Sequence, residues 1–97
     1  MKTALVTGAS GGIGGAVARR LARDGYRVML NFHKGEARAR ALRDELNRAC
    51  GAETAEVCRA DVSDAGQVEE MLRLTGRVDL LVNNAGVAQQ KLFTDLT

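Results

Sequence analysis

Proline and tryptophan are absent from this 97-residue chain, and only three aromatic side chains occur, Tyr26, Phe32 and Phe93. Single-strand nucleic-acid modules interleave stacking aromatics with cationic charge. So few rings, beside a formal net charge of only +2, exclude a nucleic-acid partner. The arginines also run along helical stretches beside Asp and Glu, the pattern of a solvated face. Metal-binding residues are equally sparse. There is one histidine, His33, and two cysteines, Cys50 and Cys58, with no close CxxC pair. No zinc site can be read from them, and the thiols are expected to be reduced and packed, as in a cytoplasmic protein. No apolar run approaches the ~20 residues of a membrane span, so no membrane partner is expected. The start, "MKTALVTGAS", reaches glycine too soon for a signal peptide.

What is present is ordinary globular material, 45% hydrophobic and 27% charged. The length suits one small domain over residues 1–97. Apolar periodicity switches between strand-like and helix-like along the chain. "KTALVT" (2–7) reads as a short buried strand. After it, Ile13, Val17 and Leu21, with Ala16, Ala18 and Ala22, recur at helical spacing. Gly25 suits the left-handed position that ends that helix, and Tyr26 is expected to pack as the next strand begins. "RVMLNF" (27–32) is a second strand. Residues 35–50 form a second helix with Ala39, Leu42, Leu46 and Ala49 inward, closed by Gly51. "TAEVCRA" (54–60) is a third strand. Ser63 is expected to N-cap a third helix with Val68, Met71 and Leu72 inward. Gly76 ends it, and "VDLLVN" (78–83) is a fourth strand.

This alternation is that of an α/β protein with crossover helices between parallel strands. The expected fold is a Rossmann-type, doubly wound parallel sheet of four strands in the order 3-2-1-4.

The stretch "TGASGGIG" (7–14) lies between the first strand and the first helix. A helix N-terminus offers unpaired N–H groups and partial positive charge, which suits phosphate. Glycine lets the backbone turn off the strand and approach an anion without a Cβ in the way. A P-loop is excluded because no lysine follows the glycines, and the strict GxGxxG string is absent. The spacing is GxxxGxG, at Gly8, Gly12 and Gly14. A glycine-rich turn without a ligand is the plain alternative.

With Asp61-Val62 ending the third strand and "NNAG" (83–86) ending the fourth, the chain resembles the short-chain dehydrogenase/reductases. Its flavour is that of bacterial 3-oxoacyl-[acyl carrier protein] reductases. The resemblance covers essentially the whole chain. It implies that Gly8, Ser10, Gly11, Gly12 and Ile13 line the pyrophosphate and adenosine ribose. It implies further that Gly14 lets the first helix approach the sheet and that Asp61 and Val62 meet the adenine. Asn84, Ala85 and Gly86 pass along the ribose side, and Asn83 ties the fourth strand to its neighbours. NAD-preferring members carry an acid at the end of the second strand. Here Phe32 stands there, followed by His33 and Lys34, which favours NADP over NAD as the cofactor. NADP-preferring relatives often carry arginine where this chain has Gly11. The plain alternative for His33 and Lys34 is a polar loop.

The resemblance also implies a catalytic serine and a YxxxK pair, and no catalytic residue can be assigned here. The only tyrosine is Tyr26, and Leu30 stands four residues on. A full member is one domain of roughly 250 residues, within the ordinary single-domain range, so the chain reads as its truncated, cofactor-binding first part. The alternative is a non-catalytic nucleotide-binding or self-associating module. An apolar fourth strand with one unpaired edge leads either reading to expect a homo-oligomer through that edge.

Overall fold

The computed structural model describes residues 1–84. Seven elements follow in strict alternation: β1 (Thr3–Val6), α1 (Gly12–Arg23), β2 (Arg27–Phe32), α2 (Glu36–Cys50), β3 (Ala55–Arg59), α3 (Ala65–Thr75) and β4 (Leu80–Val82). The strands form one parallel sheet in the order β3-β2-β1-β4. The register sets Leu5 beside both Met29 and Leu81, and Leu30 beside Val57.

Successive strand side chains point to opposite faces, and each face has its own core. On one face Val6, Val28, Leu30 and Ala55 meet Ala18 and Ala22 of α1 and Leu42 and Leu46 of α2. On the other, Leu5, Met29, Ala60 and Val62 meet Val68 and Met71 of α3. Because both faces are covered, β1 and β2 are nearly continuous apolar runs with almost no exposed residue.

Two helix ends show how local chemistry sets the boundaries. At the end of α1, Gly25 takes φ +98°; its N–H donates to the Ala22 carbonyl and the Tyr26 N–H to the Leu21 carbonyl. That is the Schellman arrangement, and only glycine adopts its left-handed residue without strain. Tyr26 and Leu21 both lie against the first core cluster, so Tyr26 is a packing residue. At the start of α3 the cap is Asp64, whose carboxylate accepts from the Gly66 and Gln67 N–H groups. Ser63, expected to be the cap, instead donates its hydroxyl to Asp61.

The inner stripes also differ in detail from expectation. Ile13 is 73% exposed. The buried side of α1 is built from Gly14, Gly15, Ala18 and Ala22, so the helix approaches the sheet on small residues. Ala49 is exposed near the end of α2. No described helix is long and apolar enough to cross a membrane.

Candidate functional site

The carboxyl ends of the four strands share one rim, and the glycine loop occupies its centre. The loop leaves β1 through Thr7, which is fully buried. Gly8 follows with φ +64°, a conformation side-chain-bearing residues rarely adopt. The Ala9 N–H then donates to the Asn31 carbonyl and the Gly11 N–H to the Gly8 carbonyl. Gly11 is the N-cap of α1, and no side chain caps the helix. The N–H groups of the first turn have no carbonyl within the helix to reach, and no acidic residue stands in that turn. The site therefore presents unopposed partial positive charge at the place where the chain leaves β1.

Each glycine has a distinct reason. A Cβ on Gly14 would lie 2.5 Å from the Gly8 carbonyl oxygen, 3.0 Å from the Ala9 Cα and 3.1 Å from Asn84 Nδ2. Helix α1 thus rests directly on the loop backbone. A Cβ on Gly12 would meet nothing within 4 Å. Gly12 faces open space in front of the helix, and Ile13 is exposed beside it.

Side chains from the other strands hold the loop in place. The Thr7 hydroxyl lies 3.1 Å from Asn83 Oδ1 and accepts from the Asn84 N–H at 2.9 Å. Asn84 Nδ2 approaches the Gly8 carbonyl at 3.4 Å. Asn83 therefore ties β4 to β1, and Asn84 reaches across to the glycine turn. On the other flank Asn31 is buried at the end of β2. Its amide donates to the Ala60 carbonyl at 3.2 Å and to the Cys58 carbonyl at 3.4 Å, while its Oδ1 accepts from the Gly8 N–H at 3.4 Å. One side chain thus links β3, β2 and the loop. Thr7 and Asn31 are positioning residues; Thr7 opens the glycine stretch read from the sequence, whereas spacing alone leaves Asn31 unmarked.

Ser10, His33, Lys34, Asp61 and Val62 gather on the same rim. Ser10 donates its hydroxyl to the Lys34 carbonyl at 3.0 Å, joining the glycine loop to the loop after β2. His33 and Lys34 are both exposed on that loop. His33 Nε2 stands 3.9 Å from Asp61 Oδ2, so the loop after β2 faces the one after β3. The Ser63 hydroxyl, at 2.6 Å, and then the Ser63 N–H hold the Asp61 carboxyl below its usual range, and the nearby His33 adds to this. The Asp61 N–H donates to Gln67 Oε1, and Val62 is buried beneath. Ala85 and Gly86 lie outside the described residues. No group of His, Cys, Asp and Glu able to hold a metal occurs among the described residues.

An open cleft of about 310 Å³ runs from the glycine loop into the groove between α1 and α2, with Ser10, Gly11 and Gly12 on one wall and Arg38 on the other. A larger hollow opens at the far end of the sheet, by Met1, Arg27 and Glu53, away from this rim. The first combines backbone donors, a capless helix N-terminus of the kind that suits an anion, Arg38 and the Arg19–Glu45 pair.

Comparison with known proteins agrees with this fold. The family model described as short chain dehydrogenase matches residues 2–97. The 3-oxoacyl-[acyl-carrier-protein] reductase of Staphylococcus epidermidis is 41% identical over 95% of this chain and 38% of its own length. A metagenomic short-chain oxidoreductase solved in complex with NADP is 41% identical, with a TM-score of 0.76 over 89% of this chain and 39% of that one. A blue fluorescent protein from a metagenomic library, solved with NADPH, is 39% identical, with a TM-score of 0.80 over 89% of this chain and 36% of that one. The chain spans about two fifths of the length of the curated relatives it matches.

Proposed function

The chain belongs to the short-chain dehydrogenase family, and on that premise we propose that it forms the NADP(H)-binding part of a reductase acting on carbonyls. The observation that carries the reading is the seating of α1. Gly14 lets the helix rest on the Gly8 carbonyl, and its capless N-terminus opens onto the rim.

The chain's own residues have clear tasks in this reading. First-turn N–H groups at Gly12 and Ile13 take the pyrophosphate, and the exposed Ile13 side chain covers the ribose. Gly8, Ser10 and Gly11 line the path between them. Asp61, oriented by Ser63, accepts from the adenine amino group, with Val62 beneath. Asn84, Ala85 and Gly86 follow the ribose on the other side. Phe32 stands where an acid would repel a 2′-phosphate, and His33 and Lys34 follow it, so NADP is favoured over NAD. The bound nicotinamide would supply the hydride. No YxxxK pair occurs in the 97 residues, so these residues hold the cofactor and the chain by itself does not turn over. A 3-oxoacyl thioester is the substrate class we assign to the whole enzyme, on the strength of the staphylococcal relative.

A second reading rests on β4. Leu81 is 37% exposed, and among the described residues β4 pairs only with β1. A parallel edge with apolar side chains is a template for another copy, which makes the chain a self-associating binding module.

The test is a fluorescence titration of the purified chain with NADPH, followed by an assay of NADPH-dependent reduction of a 3-oxoacyl thioester. Saturable binding without turnover is expected. Absence of saturable binding by a folded chain refutes the proposal, and turnover refutes the cofactor-only role.

A further inference from the structure

His33 and Asp61 face each other where the loops after β2 and β3 meet, and the backbone fixes their approach. The Ala60 N–H donates to the Phe32 carbonyl at 2.9 Å, and the Asn31 side-chain amide donates to the Ala60 carbonyl at 3.2 Å. His33 and Asp61 each follow this junction by one residue, which brings His33 Nε2 to 3.9 Å from Asp61 Oδ2.

The two oxygens of Asp61 are not equivalent. Oδ1 accepts the Ser63 hydroxyl at 2.6 Å and the Ser63 N–H at 3.0 Å, while Gln67 Oε1 takes the Asp61 N–H at 2.8 Å. The carboxylate is therefore held with Oδ2 toward His33. A gap of 3.9 Å is too long for a hydrogen bond. It is also too short to admit a second donor between the two atoms. A donor ~2.9 Å from Oδ2 on that line would lie ~1 Å from Nε2. The imidazole and the amino group of a base thus contend for one oxygen.

Imidazole is the side chain that changes charge between pH 5 and 8, so the contest depends on pH. The Asp61 carboxyl, held low first by the Ser63 hydroxyl, stays ionised through that range. The other charged groups nearby do not take the place of Asp61. Lys34 is exposed on the same loop, Glu36 is paired with Arg40 at 2.7 Å, and Arg59, beside Phe32 in the sheet, is exposed. The Asp64 carboxylate is occupied by the Gly66 and Gln67 N–H groups and the Gln67 side chain. The glycine loop carries no charged side chain.

We propose that His33 sets how strongly the site prefers adenine to a base lacking the exocyclic amino group, by competing for Asp61 Oδ2 when protonated. The proposal rests on the NADP reading above, with Asp61 as the acceptor for adenine. A neutral imidazole leaves Oδ2 to the base. A protonated one is drawn onto Oδ2 and has to be displaced, so discrimination weakens as pH falls. A carbonyl in place of the amino group is repelled by Oδ2 in the first state and less so in the second, which moves the ratio in the same direction.

The experiment measures Kd for NADP and for its hypoxanthine analogue by calorimetry between pH ~5.5 and ~7.5, on the unaltered chain, His33→Gln and His33→Lys. Both ligands carry the 2′-phosphate, so its contribution cancels in the ratio. Circular dichroism at each pH confirms folding. A charge-assisted hydrogen bond predicts adenine preferred about 10–100-fold at the upper pH. An exposed ion pair as competitor predicts a preference about two- to fivefold smaller at the lower pH. His33→Gln keeps the larger ratio throughout, and His33→Lys, a permanent cation, shows the smaller ratio already at the upper pH. A ratio that is constant with pH in the unaltered chain, or that changes as much in His33→Gln, overturns the role of His33 while the NADP reading stands. So does a His33→Lys ratio equal to that of the unaltered chain at the upper pH. Equal binding of the two ligands at the upper pH also overturns it, by removing Asp61 as the reader of the base. If the folded chain binds neither ligand, the NADP reading fails and this proposal falls with it.

Discussion

Replacing Gly14 by alanine adds one carbon atom at a point where α1 touches the glycine loop. That carbon would stand 2.5 Å from the Gly8 carbonyl oxygen and 3.0 Å from the Ala9 Cα. Both obstacles are backbone, so neither can swing aside as a flexible side chain would. Overpacking of this kind costs ~1–3 kcal/mol. Alanine in a helix returns ~0.5–1 kcal/mol relative to glycine. The balance is a net loss of about 1–2 kcal/mol, because a backbone clash belongs at the upper part of the range. For a domain of this size that lowers the unfolding midpoint by about 4–16 °C. Gly12→Ala is the matched comparison, since its Cβ meets nothing within 4 Å. It should leave thermal stability unchanged or slightly raised, yet weaken NADPH binding, because the new methyl group occupies the space in front of the helix. Thermal unfolding and NADPH titration of the two variants separate the packing glycine from the ligand-facing one. Equal stability of Gly14→Ala and the unaltered chain would falsify the close approach inferred here.

Three further outcomes are expected. Thr7→Val keeps the shape of a buried side chain but removes the hydroxyl that accepts from the Asn84 N–H; urea unfolding should show a loss of about 1–3 kcal/mol, and an unchanged midpoint contradicts the role given to Thr7. The carboxyl of Asp79 is held below its usual range, first by the Thr3 N–H and then by Arg77, as that of Asp61 is by Ser63. A depressed carboxyl contributes stability above its unfolded pKa of ~4 and loses it as pH falls through the lower folded value. Asp79→Asn should therefore flatten the acid limb of the stability curve below pH ~4, and a limb as steep as in the unaltered chain counts against the Thr3 bond. Sedimentation of the 97-residue chain should depend on concentration through the outer edge of β4, and a monomer at every concentration rules this out.

The architecture was legible in the sequence because period-two and period-3.6 stretches alternate without ambiguity, and β2 occupies the predicted residues 27–32. The order 3-2-1-4 is that of the doubly wound fold which this alternation implies. What was not legible depends on choices between neighbours or on contacts across the sheet. "VSDA" offers two adjacent cap residues; Asp64 wins because the Ser63 hydroxyl is drawn to Asp61. Ile13 has the spacing of a core residue, but the glycines and alanines beside it bring α1 too near the sheet for it to turn inward. In the site, the glycine fingerprint is contiguous and can be read directly. Thr7 and Asn31 act on groups distant in sequence; Thr7 opens the fingerprint, but no local pattern marks its bond to Asn84 or the role of Asn31.

The bond from the Asn84 N–H to the Thr7 hydroxyl spans 77 positions of the chain. During synthesis the glycine loop leaves the ribosome first, while its restraint has yet to be translated. At ~5–20 residues per second that delay is ~4–15 s. Through this interval the nascent β1 has neither its β4 neighbour nor the asparagine that reaches the Gly8 turn. Cofactor capture is consequently a late event, set by the emergence and docking of β4 rather than by formation of the glycine-rich turn. Slow translation just before Asn84 prolongs the period in which an apolar β1 edge is open to other chains.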